Sequence, residues 1–88
     1  MTHMLIRHRV GDFDRWRQLF EEHRSAREAA GITDLNLWRD VENPNDVVLI
    51  FSVSDLDRAR AFAASEDLRN KMRAAGVVDE PEIAFLTP

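Results

Sequence analysis

Cysteine and tyrosine are both absent from this 88-residue sequence, and glycine and proline occur only three times each. Without cysteine the chain can form no disulfide and offers no thiolate as nucleophile or metal ligand. Without tyrosine no site can use a phenol as an acid or as a hydrogen-bond donor. These absences exclude several common kinds of structural and catalytic site.

Long hydrophobic runs and an excess of basic charge are also missing. No apolar stretch approaches the roughly 20 residues that cross a bilayer, and the net charge of −4 disfavours a polyanionic partner. We therefore expect neither a membrane nor a nucleic acid as partner. The stretch Met1–Ile6 is too short, and followed too soon by charge, to be a signal peptide, so we expect a cytoplasmic protein.

A repeated segment is the most informative feature that is present. Residues 10–17 have the sequence Val-Gly-Asp-Phe-Asp-Arg-Trp-Arg, and residues 53–60 have the sequence Val-Ser-Asp-Leu-Asp-Arg-Ala-Arg. Each copy is followed later by Ala-Ala-Gly, at residues 29–31 and 74–76. Glycine commonly ends a helix in the left-handed conformation. The pattern predicts a duplicated unit of strand, helix and glycine stop.

The predicted elements follow the order βαββαβ within one domain spanning residues 1–88. The strands are expected at Met4–Val10, Ile32–Val41, Val47–Ser54 and Glu82–Leu86. The first helix is predicted to run unbroken from the cap Asp12 to Gly31, whereas the second, capped by Asp55, breaks and restarts at Ser65. This order predicts an α+β fold with a four-stranded antiparallel sheet and helices on one face.

Paired aspartates begin both predicted helices and could be mistaken for a metal or paired-carboxylate site. Asp12 and Asp55 occupy the position where a cap accepts backbone N–H bonds, and Asp14 and Asp57 lie in the first turn, where the helix dipole favours negative charge. We interpret them as helix starts. No metal site is predicted.

The third strand is apolar on both faces, although helices can cover only one of them. Leu49 and Phe51 alternate with Val48 and Ile50. A solvated face of an antiparallel sheet is normally polar, so a second copy of the chain is the simplest cover for the other face. We predict a homodimer formed through the sheet face.

Polar or aromatic residues interrupt the apolar strands at Arg7, His8, Trp38 and Arg39. Their side chains must line a pocket, pair across the dimer or reach its rim. His8 is a candidate base in such a pocket, but an error of one residue in the register would place Arg7 there instead. The Trp38 side chain is expected either to anchor the dimer interface or to line a ligand pocket.

Three helical residues are further candidates. His23 follows Trp16 by seven residues and lies on the same apolar stripe, so it is either a second candidate base or a structural histidine. Trp16 and Phe62 belong to the core-facing stripes of the two predicted helices. In a pocket between sheet and helices, both side chains would line the pocket and contact the ligand.

The sequence resembles the dimeric α/β-barrel superfamily, which has the ferredoxin-like fold, and within it the small proteins similar to antibiotic biosynthesis monooxygenases and cyclases. The resemblance covers nearly the whole chain. It is carried by residues 6–17, Ala30-Gly31, Trp38-Arg-Asp40, residues 44–48, residues 55–62, residues 65–68 and residues 75–81.

This resemblance implies a pocket for a small apolar compound, aromatic or polyketide-derived, between sheet and helices. Several such enzymes oxidise their substrate with O₂ and no cofactor, which requires a base and donors for an oxyanion. The chain offers His8 or His23 as base, and Arg7, Arg39 or the Trp38 N–H as donors. Haem-degrading relatives use an Asn on the first strand, which is missing here. No cofactor is expected.

Two functional hypotheses remain open. The first is a cofactor-independent enzyme, monooxygenase-like or cyclase-like, that acts on a small apolar aromatic compound. The second is a non-enzymatic dimeric module that binds a small ligand or a partner. A pocket too small for a ring, or filled by Trp16, Phe20 and Phe62, would favour the second.

Overall fold

The computed structural model describes all 88 residues, which form four strands and four helices. The order along the chain is β1 (Thr2–Arg9), α1 (Phe13–Glu22), α2 (Arg24–Ala29), β2 (Ile32–Arg39), β3 (Asp46–Val53), α3 (Leu56–Ala63), α4 (Glu66–Ala74) and β4 (Glu82–Leu86). The predicted fold class is confirmed.

The four strands form one antiparallel sheet in the order β2-β3-β1-β4. In the central pair, Met4 faces Phe51 and Ile6 faces Leu49. The same face of β4 carries Ile83, opposite Ile6. Because side chains alternate along a strand, these residues all point to one side, and they pack in the hydrophobic core. We call this side the helix face and the other side the open face.

The predicted helix starts are confirmed by their hydrogen bonds. The Asp12 carboxylate accepts from the backbone N–H of Arg15 at 3.3 Å, and the Asp55 carboxylate accepts from that of Arg58 at 3.1 Å. The Ser65 hydroxyl likewise accepts from the Leu68 N–H at 3.2 Å and starts α4. The aspartates are therefore local structural devices, each satisfying a backbone donor that has no partner inside its helix.

The glycine stops are also confirmed. Gly31 and Gly76 have φ angles of 77° and 87°, and they are the only residues in the chain with positive φ. Gly31 has little room as well, because a Cβ atom there would lie 2.7 Å from Ser54 Oγ. Glycine is thus required at residue 31 by backbone conformation and by close approach together.

The prediction of an unbroken first helix is wrong, since the helix is interrupted at His23. The His23 backbone has φ −93° and ψ 8°, and its N–H donates to both Leu19 O and Phe20 O at 3.3 Å. The Arg27 guanidinium donates to the same Phe20 carbonyl at 2.7 Å. A continuous helix would use that carbonyl to accept the N–H four residues later, so a side-chain contact supports the break. Both halves of the repeat therefore contain two helices.

Candidate active site

A cavity of about 60 Å³ lies between the helix face and the helices. Its walls are mostly hydrophobic and come from β1, β3 and all four helices. The lining residues are Met4, Ile6, His8, Trp16, Phe20, His23, Ala26, Arg27, Leu49, Phe51, Phe62, Asp67, Leu68, Lys71, Met72 and Ala75. The cavity brings together four of the residues predicted from the sequence: His8, His23, Trp16 and Phe62.

His8 is the buried polar side chain of this cavity that has no hydrogen-bond partner. It lies on the helix face of β1, opposite Val47, and only 3% of the residue is exposed. Neither ring nitrogen has a hydrogen-bond partner in the protein. Burial lowers the pKa of His8 from 6.5 to about 4, against the smaller opposing effects of Asp79 and Asp46. His8 is therefore a neutral imidazole at pH 7, with one free N–H donor and one free lone pair.

Aromatic rings form the wall beside His8. The Trp16 ring meets the His8 ring edge to face at 5.4 Å between centroids. The Phe20 ring stacks on the Trp16 ring at 5.0 Å. Phe20 in turn contacts Phe51 of the sheet at 6.3 Å. Such contacts stabilise the ring positions beyond simple burial. The aromatic wall is therefore a fixed part of the cavity.

Arg27 is a lining residue that the sequence reasoning did not single out. It is buried, donates two hydrogen bonds to the Asp34 carboxylate at 2.8 and 2.9 Å, and lies over the Phe20 ring at 3.7 Å. Although burial raises the pKa of Asp34, the hydrogen bonds and charges of Arg27 and Arg24 outweigh this effect and lower it. The only sequence signal was an arginine seven residues before an aspartate in a strand.

Charged residues mark the outer part of the cavity. Lys71 and Asp67 lie one turn apart on α4 and form an ion pair at 2.9 Å. Their side chains are 36% and 76% exposed, in contrast to the buried His8. His23, at the junction of α1 and α2, is partly exposed. The cavity is thus mostly apolar inside, where His8 and the ion-paired Arg27 are the buried polar residues, and it is charged towards solvent.

The three remaining predicted residues, Arg7, Trp38 and Arg39, do not line this cavity. Arg7 lies on the open face, where it donates two hydrogen bonds to Asp46 at 2.8 and 3.2 Å. Hydrogen bonding from Arg7 lowers the pKa of Asp46. Arg39 stacks over the Phe13 ring at 3.7 Å and donates to Pro44 O.

A bulge in β2 determines where Trp38 lies. Strict alternation from the buried Ile32 would place Trp38 on the helix face, but the register shifts between Asp34 and Asn36. Beyond that bulge Trp38 pairs with Val48 on the open face and is 56% exposed. One extra residue in a strand moves every later side chain to the opposite face of the sheet. The sequence contained no sign of this bulge.

No family model matches this sequence, and no curated protein matches it. Solved structures do match over nearly full length. SnoaB from Streptomyces nogalater, described as a cofactor-independent oxygenase, has a TM-score of 0.73 at 20% identity, with 99% of this chain and 91% of that chain covered. A candidate antibiotic biosynthesis monooxygenase from Bordetella bronchiseptica has a TM-score of 0.77 at 15% identity, with 99% and 95% covered.

The chain has the ferredoxin-like fold of antibiotic biosynthesis monooxygenases. An uncharacterised NIPSNAP domain protein from Burkholderia xenovorans shares this fold, with a TM-score of 0.67, 17% identity and 100% and 94% coverage. The resemblance noted in the sequence is therefore confirmed at the level of fold. Such a fold carries many activities and does not by itself identify a reaction.

No helix is long and apolar enough to span a membrane, and no three potential ligand side chains are grouped to hold a metal ion.

Proposed function

We propose that this protein is a cofactor-independent enzyme, monooxygenase-like or cyclase-like, that binds a small apolar aromatic compound between its sheet and helices. One observation carries the proposal: His8 places two unpaired ring nitrogens in the wall of a mostly apolar cavity. Buried polar groups in proteins nearly always have a partner. A ligand hydroxyl or carbonyl is the partner that this position lacks.

His8 is suited to take a proton from an acidic C–H or O–H group of such a compound. Because its pKa is about 4, the imidazole is neutral and its lone pair is free at pH 7. A substrate anion that forms beside it favours the imidazolium and raises that pKa during the transfer. The apolar walls exclude water from the resulting carbanion or enolate, which in an oxygenase then reacts with O₂. SnoaB, which shares the fold, is described as a cofactor-independent oxygenase.

The size of the cavity restricts how a ring can enter. An engineered cavity of about 150 Å³ holds benzene, whereas the volume here is about 60 Å³. One wall is α4, which contains no buried residue. Outward movement of α4 enlarges the cavity at the smallest loss of packing. The proposed enzyme therefore binds its substrate by displacing α4.

The same volume favours a second candidate function, a non-enzymatic module that binds a small ligand. The walls already include Trp16, Phe20 and Phe62, and the absence of tyrosine removes one common acid from the site. In this case His8 donates or accepts a hydrogen bond and no proton is transferred.

Oxygen uptake and product formation with anthrone-type and quinol-type compounds together test the first candidate against the second. We expect turnover by the native protein and a decrease of roughly 100-fold or more in His8→Leu, the usual effect of removing a general base. His23→Leu, which changes another lining histidine, is the matched control and should keep most of the activity. Binding without turnover in calorimetry would support the second candidate, and absence of binding would contradict both.

The proposed enzyme is a homodimer formed through the open face. Trp38 and Leu86 are 56% and 45% exposed on this face, and Leu5, Val48 and Ile50 lie beside them with partial exposure. Contiguous apolar surface on a sheet usually marks an interface. A second copy offers the same surface, and one twofold axis would cover both.

A further inference from the structure

Polar groups are distributed unevenly along the proposed binding cavity. His8 is its least exposed polar residue, with 3% exposure. Lys71 and Asp67 lie at the solvent side, and their side chains are far more exposed. An apolar ligand that reaches His8 with one polar group therefore has its opposite end near α4.

Two cations, Arg27 and Lys71, and one carboxylate, Asp67, line the cavity, in a chain whose net charge is −4. Arg24 and Arg27 share the single carboxylate of Asp34. Lys71 is opposed only by Asp67, an exposed pair on one helix. Exposed pairs of this kind contribute little to stability, so the pairing with Asp67 can be exchanged at small cost for a contact between the Lys71 ammonium and a ligand anion.

We propose that the ligand of this cavity is a small hydroxylated aromatic acid, whose hydroxyl binds His8 and whose carboxylate lies beside Lys71. The inference rests on the proposed function and adds the charge of the ligand to it. The apolar ring lies between these ends against Trp16 and Phe20. Lys71 is then a specificity-determining residue, with no part in the proton transfer.

Three phenols of matched size test this charge preference in NMR or calorimetric titrations at pH 7. They are para-hydroxybenzoate, its neutral analogue para-hydroxybenzamide, and the cation para-hydroxybenzylamine. We expect the native protein to bind the benzoate about three- to fivefold more tightly than the amide, as one exposed ion pair allows. The benzylamine should bind most weakly.

Lys71→Met removes the charge and keeps most of the length of the side chain. We expect it to abolish the preference for the benzoate and leave the affinity for the amide unchanged, whereas Lys71→Arg retains the preference. Arg73→Met is the matched control, because Arg73 is an exposed cation of α4 that does not line the cavity. It should keep the native preference.

The possible outcomes separate this inference from the proposed function. Equal affinity for the benzoate and the amide, tightest binding of the benzylamine, or the same effect of Lys71→Met and Arg73→Met would overturn the assignment to an acid and leave the proposed cavity standing. If no phenol binds, or if His8→Leu binds all three as tightly as the native protein, the proposed function fails as well.

Discussion

At the scale of single residues, His8 lowers the stability of the fold that contains it. An unsatisfied buried polar group costs about 1–3 kcal/mol, and both ring nitrogens of His8 are unsatisfied. A leucine or methionine would fill the same space between Met4 and Val10 without this cost. Packing alone therefore does not explain the presence of an imidazole at this position, whereas binding of a ligand polar group does.

The stability of the protein is expected to fall in mild acid because of His8. Its pKa is about 4 in the folded protein and 6.5 when exposed, so below pH 6.5 the unfolded chain binds a proton that the folded chain does not. The resulting loss of stability is absent above pH 6.5, grows as the pH falls and is complete below about pH 4. At pH 5 it amounts to about 2 kcal/mol, measurable by urea unfolding at pH 7.5 and 5.

His8→Leu is the control for this pH dependence. The variant should be more stable than the native protein at pH 5 and should lose less stability between pH 7.5 and 5. Asp34 and Asp46 keep their main partners, Arg27 and Arg7, in both proteins, and since their pKa values are lowered, their contribution is lost only at more acidic pH. The same loss in both proteins would show that His8 is not buried in the neutral form.

The sequence allowed some of the site to be predicted, and the reason differs from residue to residue. The alternation along β1 reduced the choice to two candidates, His8 and Arg7, but left the register between them open. Trp38 could not be assigned to a face, because the bulge in β2 depends on the pairing with β3. Arg27 was not recognised, since its role comes from Asp34 on another element. Local patterns made His8 a candidate, and tertiary contacts decided where the side chains of Trp38 and Arg27 lie.

At the scale of elements, the clamp between Arg27 and Asp34 joins α2 to β2. Arg27→Met should lower the free energy of unfolding by about 2 kcal/mol, because it removes two short hydrogen bonds to the partly buried Asp34 carboxylate and one to the Phe20 carbonyl. Arg24→Met is the control. Arg24 is 57% exposed and reaches Asp34 at 3.4 Å, so its loss should change stability by less than about 1 kcal/mol. Chemical denaturation of both variants checks the difference.

The two glycine stops provide a second comparison between elements. Gly31→Ala and Gly76→Ala each force alanine into the left-handed region, at roughly 1–2 kcal/mol. Only Gly31→Ala also brings a Cβ atom within 2.7 Å of Ser54 Oγ, whereas nothing lies within 4 Å at Gly76. We expect the larger loss of stability for Gly31→Ala, with partial recovery in the double variant Gly31→Ala/Ser54→Ala. Equal melting temperatures for the two single variants would contradict this.

Most of the element order was predictable because its signals are local. Asp12, Asp55 and Ser65 cap helices through bonds to residues three positions later, and Gly31 and Gly76 end them. The break at His23 was not predictable from such signals. No proline or glycine marks it, and the Arg27 contact that supports it depends on where β2 lies.

At the scale of the whole molecule, the proposed dimer depends on the open face. Trp38→Glu should convert the dimer into a monomer, because it places two charges, one from each copy, in the interface core. Val41→Glu is the control, since Val41 is fully exposed outside the strands. Light scattering on both variants, with circular dichroism to verify folding, measures this. A native protein that is monomeric at high concentration would contradict the proposed interface.

The position of β1 in the sheet also has a consequence for how the chain folds. β1 is hydrogen-bonded to β3 on one side and β4 on the other, with His3 facing both Ser52 and Leu86. The neighbouring β2–β3 hairpin needs only a short loop to close, while β1 pairs with β3, beyond two helices and β2, and with β4, beyond every other element. Contacts so distant in sequence slow folding. The strand that carries His8 is therefore expected to complete its pairing only after the β2–β3 hairpin has formed.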